Sequence, residues 1–404
     1  IYFWSLLGNY FISKLPVDNH LIKKLNYAIL MSSIWGIGEV ILSKSPFFWI
    51  GVGGSVLPGD VYLAGIASLF GEGGLAFIQL LIGWWIWRVF ISIRRFNEIK
   101  RTLWIGIISI LFVHLIGMNL LSIDNDKPHI PVAIWQTDIP IRERFIEEAK
   151  NPILKDLHNI LLRSKELGAS FLIAPEGTLL NVERLKEPAP IPLLSGGISK
   201  VDGAARNSLF VFRNSEYVSS KRIDKYRLVP LGEWVPNLFG IPLRSLSAIS
   251  GLEAGNPSRL LNWDGPSLAV AICYEISDGY AVSKAVRNGA EWILSISNLD
   301  PYPILLQKQF MNLARIRSIE TARTLITVSN TGPSSIIDAN GKVKSIISPF
   351  KKGVGVVELV LHDEITPYVL LKEIPLIMII IFSVLSIALD YKKYFYLSNP
   401  FTFK

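Results

Sequence analysis

Three long stretches in the N-terminal third of the chain are almost free of charge: about Leu25 to Leu42, Leu75 to Ile93 and Leu103 to Ile123. Each approaches the roughly 20 apolar residues that carry an α-helix across a bilayer. The pattern therefore predicts three membrane helices, and a fourth from Thr366 to Leu389 with Pro375 near its start. The chain also opens in an apolar run, Ile1 to Ile12, with no charged leading segment. That run reads as the end of a helix that begins upstream, or of a larger membrane region. Buried helices of a soluble protein are the alternative. The second and third stretches hold too few charges for it, whereas Glu39 in the first and Lys372 and Glu373 at the edge of the fourth weaken those two.

Between Ile130 and Val360 the period changes, and short β-rich runs alternate with helical spacing. Strands are predicted at Pro131–Trp135, Ser170–Ala174, Leu209–Arg213, Leu268–Ile272, Trp292–Ile296 and Leu325–Ser329. Helices are predicted over Ile141–Leu167, interrupted at Asn151-Pro152, and over Ala281–Asn288 and Leu305–Arg323. Ser334–Ile337 and Val343–Ile347 flank Asp338-Ala339-Asn340-Gly341, whose Asn-Gly pair is a strong hairpin signal. The prolines of Glu187–Pro192 mark a loop. No internal repeat is visible. The alternation predicts a layered α/β domain.

Composition narrows the class. Half of the 404 residues are hydrophobic and 18% are charged, which excludes a disordered chain and argues against a wholly soluble one. The single Cys excludes an intramolecular disulfide framework and a Cys-rich zinc site, and five scattered His argue against a His-rich metal site. A net charge of +8 suits nucleic acid in a polar protein. In so apolar a chain, basic residues instead mark cytoplasmic loops and anionic headgroups, and no nucleic-acid partner is expected. Lys23 and Lys24 precede the first stretch, Arg94, Arg95, Lys100 and Arg101 separate the second and third, and Lys392 and Lys393 follow the fourth. With all three clusters cytoplasmic, Ser43–Gly74 and Asp124–Ile365 lie outside. The Gly- and aromatic-rich loop from Ser45 to Gly74 reads as an interfacial segment with no catalytic part. Phe47 and Trp49 suit headgroup level, and Phe3, Trp4, Trp84, Trp85 and Trp87 suit the same belt or helix packing.

Three segments share one form, an apolar run that ends in a reactive group. Leu268–Ile272 runs into Cys273, followed by Tyr274 and Glu275. Phe171–Ala174 runs into Pro175-Glu176-Gly177. Lys225 and Glu233 sit in Asp224-Lys225-Tyr226-Arg227-Leu228-Val229-Pro230-Leu231-Gly232-Glu233-Trp234-Val235-Pro236. Each has an ordinary reading alone: Cys273 as a small buried hydrophobe, Glu176 as a surface turn, Lys225 as a surface cation. Together a carboxylate, an ammonium and a thiol make a covalent catalyst. The thiol needs a base to become a nucleophile, and an ammonium beside a backbone N–H stabilises the oxyanion that follows.

These three segments resemble the three signatures of the nitrilase superfamily. The surrounding words resemble one branch of it, the apolipoprotein N-acyltransferases. Gln136-Thr137-Asp138-Ile139-Pro140 is similar to that branch's opening strand and turn, and Ala314–Arg323 to its helix after the nucleophile. Ser329-Asn330-Thr331-Gly332 and Ile337–Gly341 are similar to its late strands. Where many relatives carry Asn-Asp-Ala-Trp-Phe, this chain has Ser297-Asn298-Leu299-Asp300-Pro301-Tyr302, and Phe145 stands where a family Trp is expected. The resemblance implies a four-layer αββα sandwich inserted between transmembrane helices. It divides the chain into a membrane region at 1–123, an extracytoplasmic catalytic domain at 124–365, and a C-terminal helix with a cytoplasmic tail at 366–404. It also implies Glu176 as general base, Lys225 as oxyanion stabiliser and Cys273 as acylated nucleophile. Glu233 would be a second acid, and Tyr274 and Glu275 would shape the site.

The implied reaction takes a fatty acyl chain from phospholipid through a Cys273 thioester to the α-amino group of a diacylglyceryl-cysteine on an apolipoprotein. No cofactor or metal is called for. The expected partners are that donor, that acceptor and the bilayer of a bacterial inner membrane, with the catalytic domain periplasmic and the chain a monomer. The alternatives are a membrane-anchored carbon–nitrogen hydrolase finishing with water, a silent scaffold and, weaker still, a transporter. The complete Glu176, Lys225 and Cys273 set argues against a scaffold, and the lack of clustered intramembrane charge argues against a transporter.

Overall fold

The computed structural model describes residues 6–8, 10, 21–45, 49–93, 96–121, 128–140, 147–180, 184–201, 203–230, 232–234, 237–238, 241–242 and 251–398. Phe3, Trp4, Phe47, Arg94, Arg95 and Phe145 lie outside them, as does most of the Ile1–Ile12 run.

The N-terminal part holds α1 (Leu21–Lys44), a one-turn α2 (Val61–Ala64), α3 (Ala67–Ile91) and α4 (Phe96–Leu120). Three helices, Leu21–Lys44, Ala67–Ile91 and Ile99–Leu120, are long and apolar enough to cross a membrane. Helix α3 begins at Ala67 rather than at the predicted Leu75 and is kinked at Gly71, whose φ is +65°. Helices α1 and α3 touch backbone to backbone. A Cβ on Gly36 would meet the Gly73 carbonyl oxygen at 2.4 Å, the close approach that small residues allow between membrane helices.

The α/β part begins with β1 (His129–Gln136), α5 (Glu147–Glu166), β2 (Phe171–Leu180), β3 (Leu193–Val201), β4 (Ala204–Phe212) and β5 (Ser219–Asp224). A two-residue pair follows, β6 (Asn237–Leu238) and β7 (Ile241–Pro242), then β8 (Leu260–Leu261), β9 (Leu268–Ile272), α6 (Gly279–Arg287) and β10 (Trp292–Ser297). The last elements of the domain are α7 (Ile304–Thr321), β11 (Leu325–Ser329), β12 (Ser334–Ile337), β13 (Val343–Ile347) and β14 (Gly353–Val360). Two six-stranded sheets result, in the orders β14-β1-β2-β3-β4-β5 and β13-β12-β11-β10-β9-β8.

Side-chain alternation builds the layers. Val132 and Ile134 of β1, Phe171 and Ile173 of β2, and Leu209 and Val211 of β4 face the second sheet in one core. Ala133 and Trp135, Leu172 and Ala174, and Phe210 and Phe212 turn the other way, onto Leu157 and Leu161 of α5. Helices α6 and α7 contribute Val282, Ala285, Phe310 and Leu313 to the core around the second sheet. This is the expected sandwich of two sheets between helical layers. The Asn-Gly hairpin forms between β12 and β13, with Asp338 Oδ1 accepting from the Asn340 and Lys342 amides.

Two expectations change. Helix α5 runs through Asn151-Pro152; the proline removes one intrahelical N–H there without ending the helix. The apolar stretch Thr366–Leu389 is not one helix. It splits into α8 (Pro367–Leu371) and α9 (Ile374–Ser398) at Lys372, whose φ is +53°. Thr366 caps α8 by accepting from the Val369 amide, and Tyr368 and Val369 are buried. Helix α8 packs on α3 as well as on α6 and α7, so this turn sits where the apolar helices meet the α/β part. The apolar part of α9, Ile374–Asp390, is shorter than the other spans.

Helix α7 joins the two parts. Ile316 and Ile319 pack with Leu57, Ala67 and Leu75. Arg317 donates to Glu72 Oε2 at 2.6 Å and pairs with Glu320 at 3.0 Å, and the Glu72 amide donates to Glu320 Oε1 at 2.8 Å.

Candidate active site

Cys273 ends the parallel strand β9, whose five residues are all buried. It opens a 3₁₀ turn, Cys273–Ser277, with φ of +55°. A non-glycine residue in the left-handed region costs energy that the surroundings must hold, and such positions concentrate at working sites. Cys273 is 4% exposed.

Glu176 stands on a bulge. The sequence predicts that the strand ends before it, yet β2 continues from Phe171 to Leu180, with its pairing to β3 slipping between Ala174 and Leu179. The extra residues, with Gly177 at φ +72°, re-aim the carboxylate out of the strand's alternation. Lys225 follows β5, and its amide is fixed to the Asn207 carbonyl at 2.7 Å. Its ammonium is fully buried and lies 3.1 Å from Glu176 Oε1 and 2.8 Å from Glu233 Oε1. Glu233 comes from the turn after Val229, whose amide donates to its Oε2 at 2.9 Å.

Asn207 of β4 completes the group. Its Nδ2 donates to Glu176 Oε1 at 2.6 Å and to Glu233 Oε1 at 3.0 Å. The Asn298 amide holds Glu176 Oε2 at 2.7 Å. Asn298 is tied in turn to Asn330, which bonds the backbone of Ile139 and the hydroxyl of Thr137. The words Gln136–Pro140 and Ser329–Gly332 thus converge behind the carboxylate.

The electrostatics follow from burial. Desolvation disfavours charge on Lys225, but the carboxylates of Glu176 and Glu233 overcome it and hold the ammonium well above the ordinary lysine range. Burial pushes the Cys273 thiol up, Glu176 adds to that, and Lys225 opposes it. The balance favours the neutral thiol at Cys273.

Tyr274 and Glu275 act on either side. Glu275 accepts from the Ile272 amide at 2.9 Å and the Tyr226 amide at 2.6 Å, and pairs with buried Arg259 at 2.9 Å. One carboxylate therefore clamps the end of β9 to the segment that carries Lys225. Burial raises the Glu275 pKa and Arg259 opposes the shift. Tyr274 accepts from the Trp49 amide at 2.6 Å and donates to the Trp49 carbonyl at 3.1 Å, with the Arg227 guanidinium 4.6 Å over its ring. Arg227 also reaches the Ser45 carbonyl at 3.1 Å. The loop read as merely interfacial is thus docked on Tyr274, the residue after Cys273. Tyr302, at the departure from the family word, feels the charges of Cys273, Lys225 and Glu176 and stacks on Phe310 at 6.1 Å. Among the described residues no group of three or more His, Cys, Asp or Glu is arranged to hold a metal ion.

The carbon-nitrogen hydrolase family matches residues 177–365, a span that holds Lys225, Glu233 and Cys273. An apolipoprotein N-acyltransferase of Prochlorococcus marinus (strain MIT 9313) is 47% identical over 96% of this chain and 78% of its own length. The chain belongs to the apolipoprotein N-acyltransferase family. It is an acyltransferase with a nitrilase-like fold, as the sequence implied. Another family member, from Parasynechococcus marenigrum (strain WH8102), is 44% identical over 84% of this chain and 72% of its own. Among solved structures, a nitrilase-superfamily amidase of Nesterenkonia AN1 has a TM-score of 0.42 at 17% identity, over 58% of this chain and 94% of that one.

The structure brings Glu176, Lys225, Glu233 and Cys273 together, with Tyr274 and Glu275 behind them. Sequence reasoning missed Asn207, Arg259, Arg227 and the Trp49 loop. Asn207 had one signal, a polar Asn-Ser pair entering the apolar run Leu209–Phe212. Glu39, left without a role, accepts from Trp35 Nε1 at 2.9 Å and from the Val52 amide at 2.7 Å, and so supports the same loop.

Proposed function

We propose that this chain performs a ping-pong acyl transfer at Cys273. The observation that carries the reading is the buried ammonium of Lys225 between Glu176 and Glu233, with the Cys273 thiol in the same field. Glu176 takes the thiol proton as Sγ attacks the ester carbonyl of a phospholipid. Lys225 and the first amide of the turn stabilise the oxyanion. Collapse breaks the ester C–O bond, and the lysophospholipid alkoxide leaves with the proton held by Glu176. The α-amino group of a diacylglyceryl-cysteine then attacks the thioester and gives its proton to Glu176. The thiolate leaves and is reprotonated, and the product is an amide.

Water competes with the second step in a soluble hydrolase. Here both substrates carry acyl chains that belong in lipid, and the docking of Tyr274 on the Trp49 loop supports a site at the bilayer surface. The basic residues Lys23, Lys24, Lys100 and Arg101 support an inner-membrane orientation with the catalytic domain on the periplasmic side.

The test is intact mass after incubation of the detergent-solubilised chain with diacyl phospholipid and no acceptor. The parent gains one fatty-acyl mass that hydroxylamine removes, and Cys273→Ala gains none. A diacylglyceryl-cysteine peptide then discharges the adduct as an N-acyl peptide. Absence of any adduct from a folded parent with several donors sinks this reading and moves small-amide hydrolysis forward.

A further inference from the structure

A second group of charges, sharing no residue with the Glu176, Lys225, Glu233 and Cys273 set, lies where α1, α6 and the α8–α9 break meet. The Lys44 ammonium is 4.3 Å from the centre of the Tyr280 ring, and the Lys372 ammonium is 5.3 Å from it. Lys372 also donates to Ser283 Oγ. On α6, Tyr280, Lys284 and Arg287 are spaced so that they share one stripe of the helix, and Arg287 and Lys44 both act on the Lys372 charge. The acids that act on Lys372 are Glu373, which is 3.9 Å from Lys44, and Glu320, which is engaged by Arg317. Two cations thus meet over one exposed aromatic ring, with Lys284 and Arg287 on the same helical stripe as that ring, and Lys372 is set there by a left-handed backbone.

Burial, with Arg287 and Lys44, pushes the Lys372 pKa down to about 8 against the opposing charges of Glu373 and Glu320. An anion between the lysines would reverse that. The position identifies the anion. Lys44 is the last residue of α1, and Lys372 precedes the first residue of α9. Leu370, Leu371 and Ile374 beside them are exposed apolar side chains. A charged group bound here has hydrocarbon beneath it.

We propose that Lys44, Lys372 and the Lys284–Arg287 stripe bind the phosphodiester of an anionic phospholipid in the extracytoplasmic leaflet, with the Tyr280 ring as the floor of the site. The assignment rests on the membrane orientation given above and not on the acyl-transfer reading. The lipid held here seats the catalytic domain on the bilayer and is separate from the lipid consumed at Cys273.

The full chain with Cys273→Ala, in neutral detergent, is titrated with phosphatidylglycerol and followed by native mass spectrometry. It retains phosphatidylglycerol in preference to phosphatidylcholine of the same acyl chains. Lys44→Gln with Lys372→Gln retains one lipid fewer and weakens binding about thirtyfold, from about fivefold for each cation lost at a membrane surface. Lys44→Arg with Lys372→Arg retains it, and Lys200→Gln, on β3, changes nothing. Equal retention of phosphatidylcholine, or unchanged binding in the double Gln variant with the Arg variant folded, overturns the proposal. Inorganic phosphate that displaces the lipid at equal affinity overturns the lipid assignment in favour of a free-anion site. Because Cys273→Ala cannot turn over, failure of the acyl-transfer reading leaves these outcomes unaffected.

Discussion

Glu233 is the nearer carboxylate partner of Lys225, at 2.8 Å against 3.1 Å for Glu176. Its other oxygen is held by the Val229 amide, so Glu233 is fixed as the standing counter-charge of the ammonium. Glu176 is held as firmly, its second oxygen by the Asn298 amide at 2.7 Å, and in the acyl transfer proposed above it is the carboxylate that takes the Cys273 proton. Glu233→Gln keeps an acceptor for Lys225 and loses the charge. Its kcat is expected to fall about 10²-fold, the scale of losing one oxyanion-stabilising group, with KM nearly unchanged. Glu176→Gln should abolish N-acyl peptide formation. Steady-state kinetics on a diacylglyceryl-cysteine peptide measures both, and full activity in Glu233→Gln would remove it from the site.

The proton on Cys273 can be read directly. Burial and the Glu176 charge both raise its pKa, so the thiolate fraction rises with pH across the whole neutral range. Alkylation by iodoacetamide should climb about tenfold per pH unit without a plateau up to pH about 9. In Glu176→Gln one of the charges that disfavours thiolate is gone, and the alkylation curve should move to lower pH while acyl transfer is lost. A parent curve that levels off below pH 7 contradicts the resting thiol.

Glu176 and Cys273 were legible in the sequence because each follows an apolar run, and runs of this kind fix strands. Lys225, read as sharing that form, instead follows the polar strand Ser219–Asp224 and was legible through the resemblance of its segment. Leu268–Ile272 and Leu325–Ser329 are strands with the predicted bounds. The bulge under Glu176 was not legible, since it depends on how β2 pairs with β3 and not on the residues of β2 alone. Asn207 was hidden for a related reason: its amide matters only because β4 and the Val229 turn bring two carboxylates to it. The break at Lys372 was masked by hydropathy. Tyr368, Val369, Leu370 and Leu371 read as part of one apolar run, yet Tyr368 is buried beside Gly71 of α3 and Val369 in the core around the second sheet.

Arg259 and Glu275 are each 1% exposed at the side chain and 2.9 Å apart. Breaking one side of such a pair leaves an uncompensated buried charge and costs about 3 to 5 kcal/mol. Glu275→Gln is therefore expected to lower the Tm in detergent by several degrees and to stop acylation. The double variant Arg259→Met, Glu275→Leu removes both charges and should recover much of the Tm. It should not recover activity, because the Ile272 and Tyr226 amides still lack their shared acceptor. Recovery of acylation in the double variant would show that the clamp between β9 and the Lys225 segment is dispensable.

Glu320, at the junction of α7 with the membrane helices, gives a pH dependence of stability. Burial raises its pKa from 4.5 to about 7 against the opposing charge of Arg317. The folded chain therefore binds this proton more tightly than the unfolded chain does. The stabilisation is complete below about pH 4.5 and is lost as pH rises through about 7. Glu320→Gln resembles the protonated form at every pH. The difference in unfolding free energy, variant minus parent, should rise between pH 4.5 and 7 and stay level above it. Denaturant melts of both proteins in one detergent across that window measure the slope. A flat difference would mean that Arg317 cancels burial at this position, and a falling one that the ion pair outweighs it.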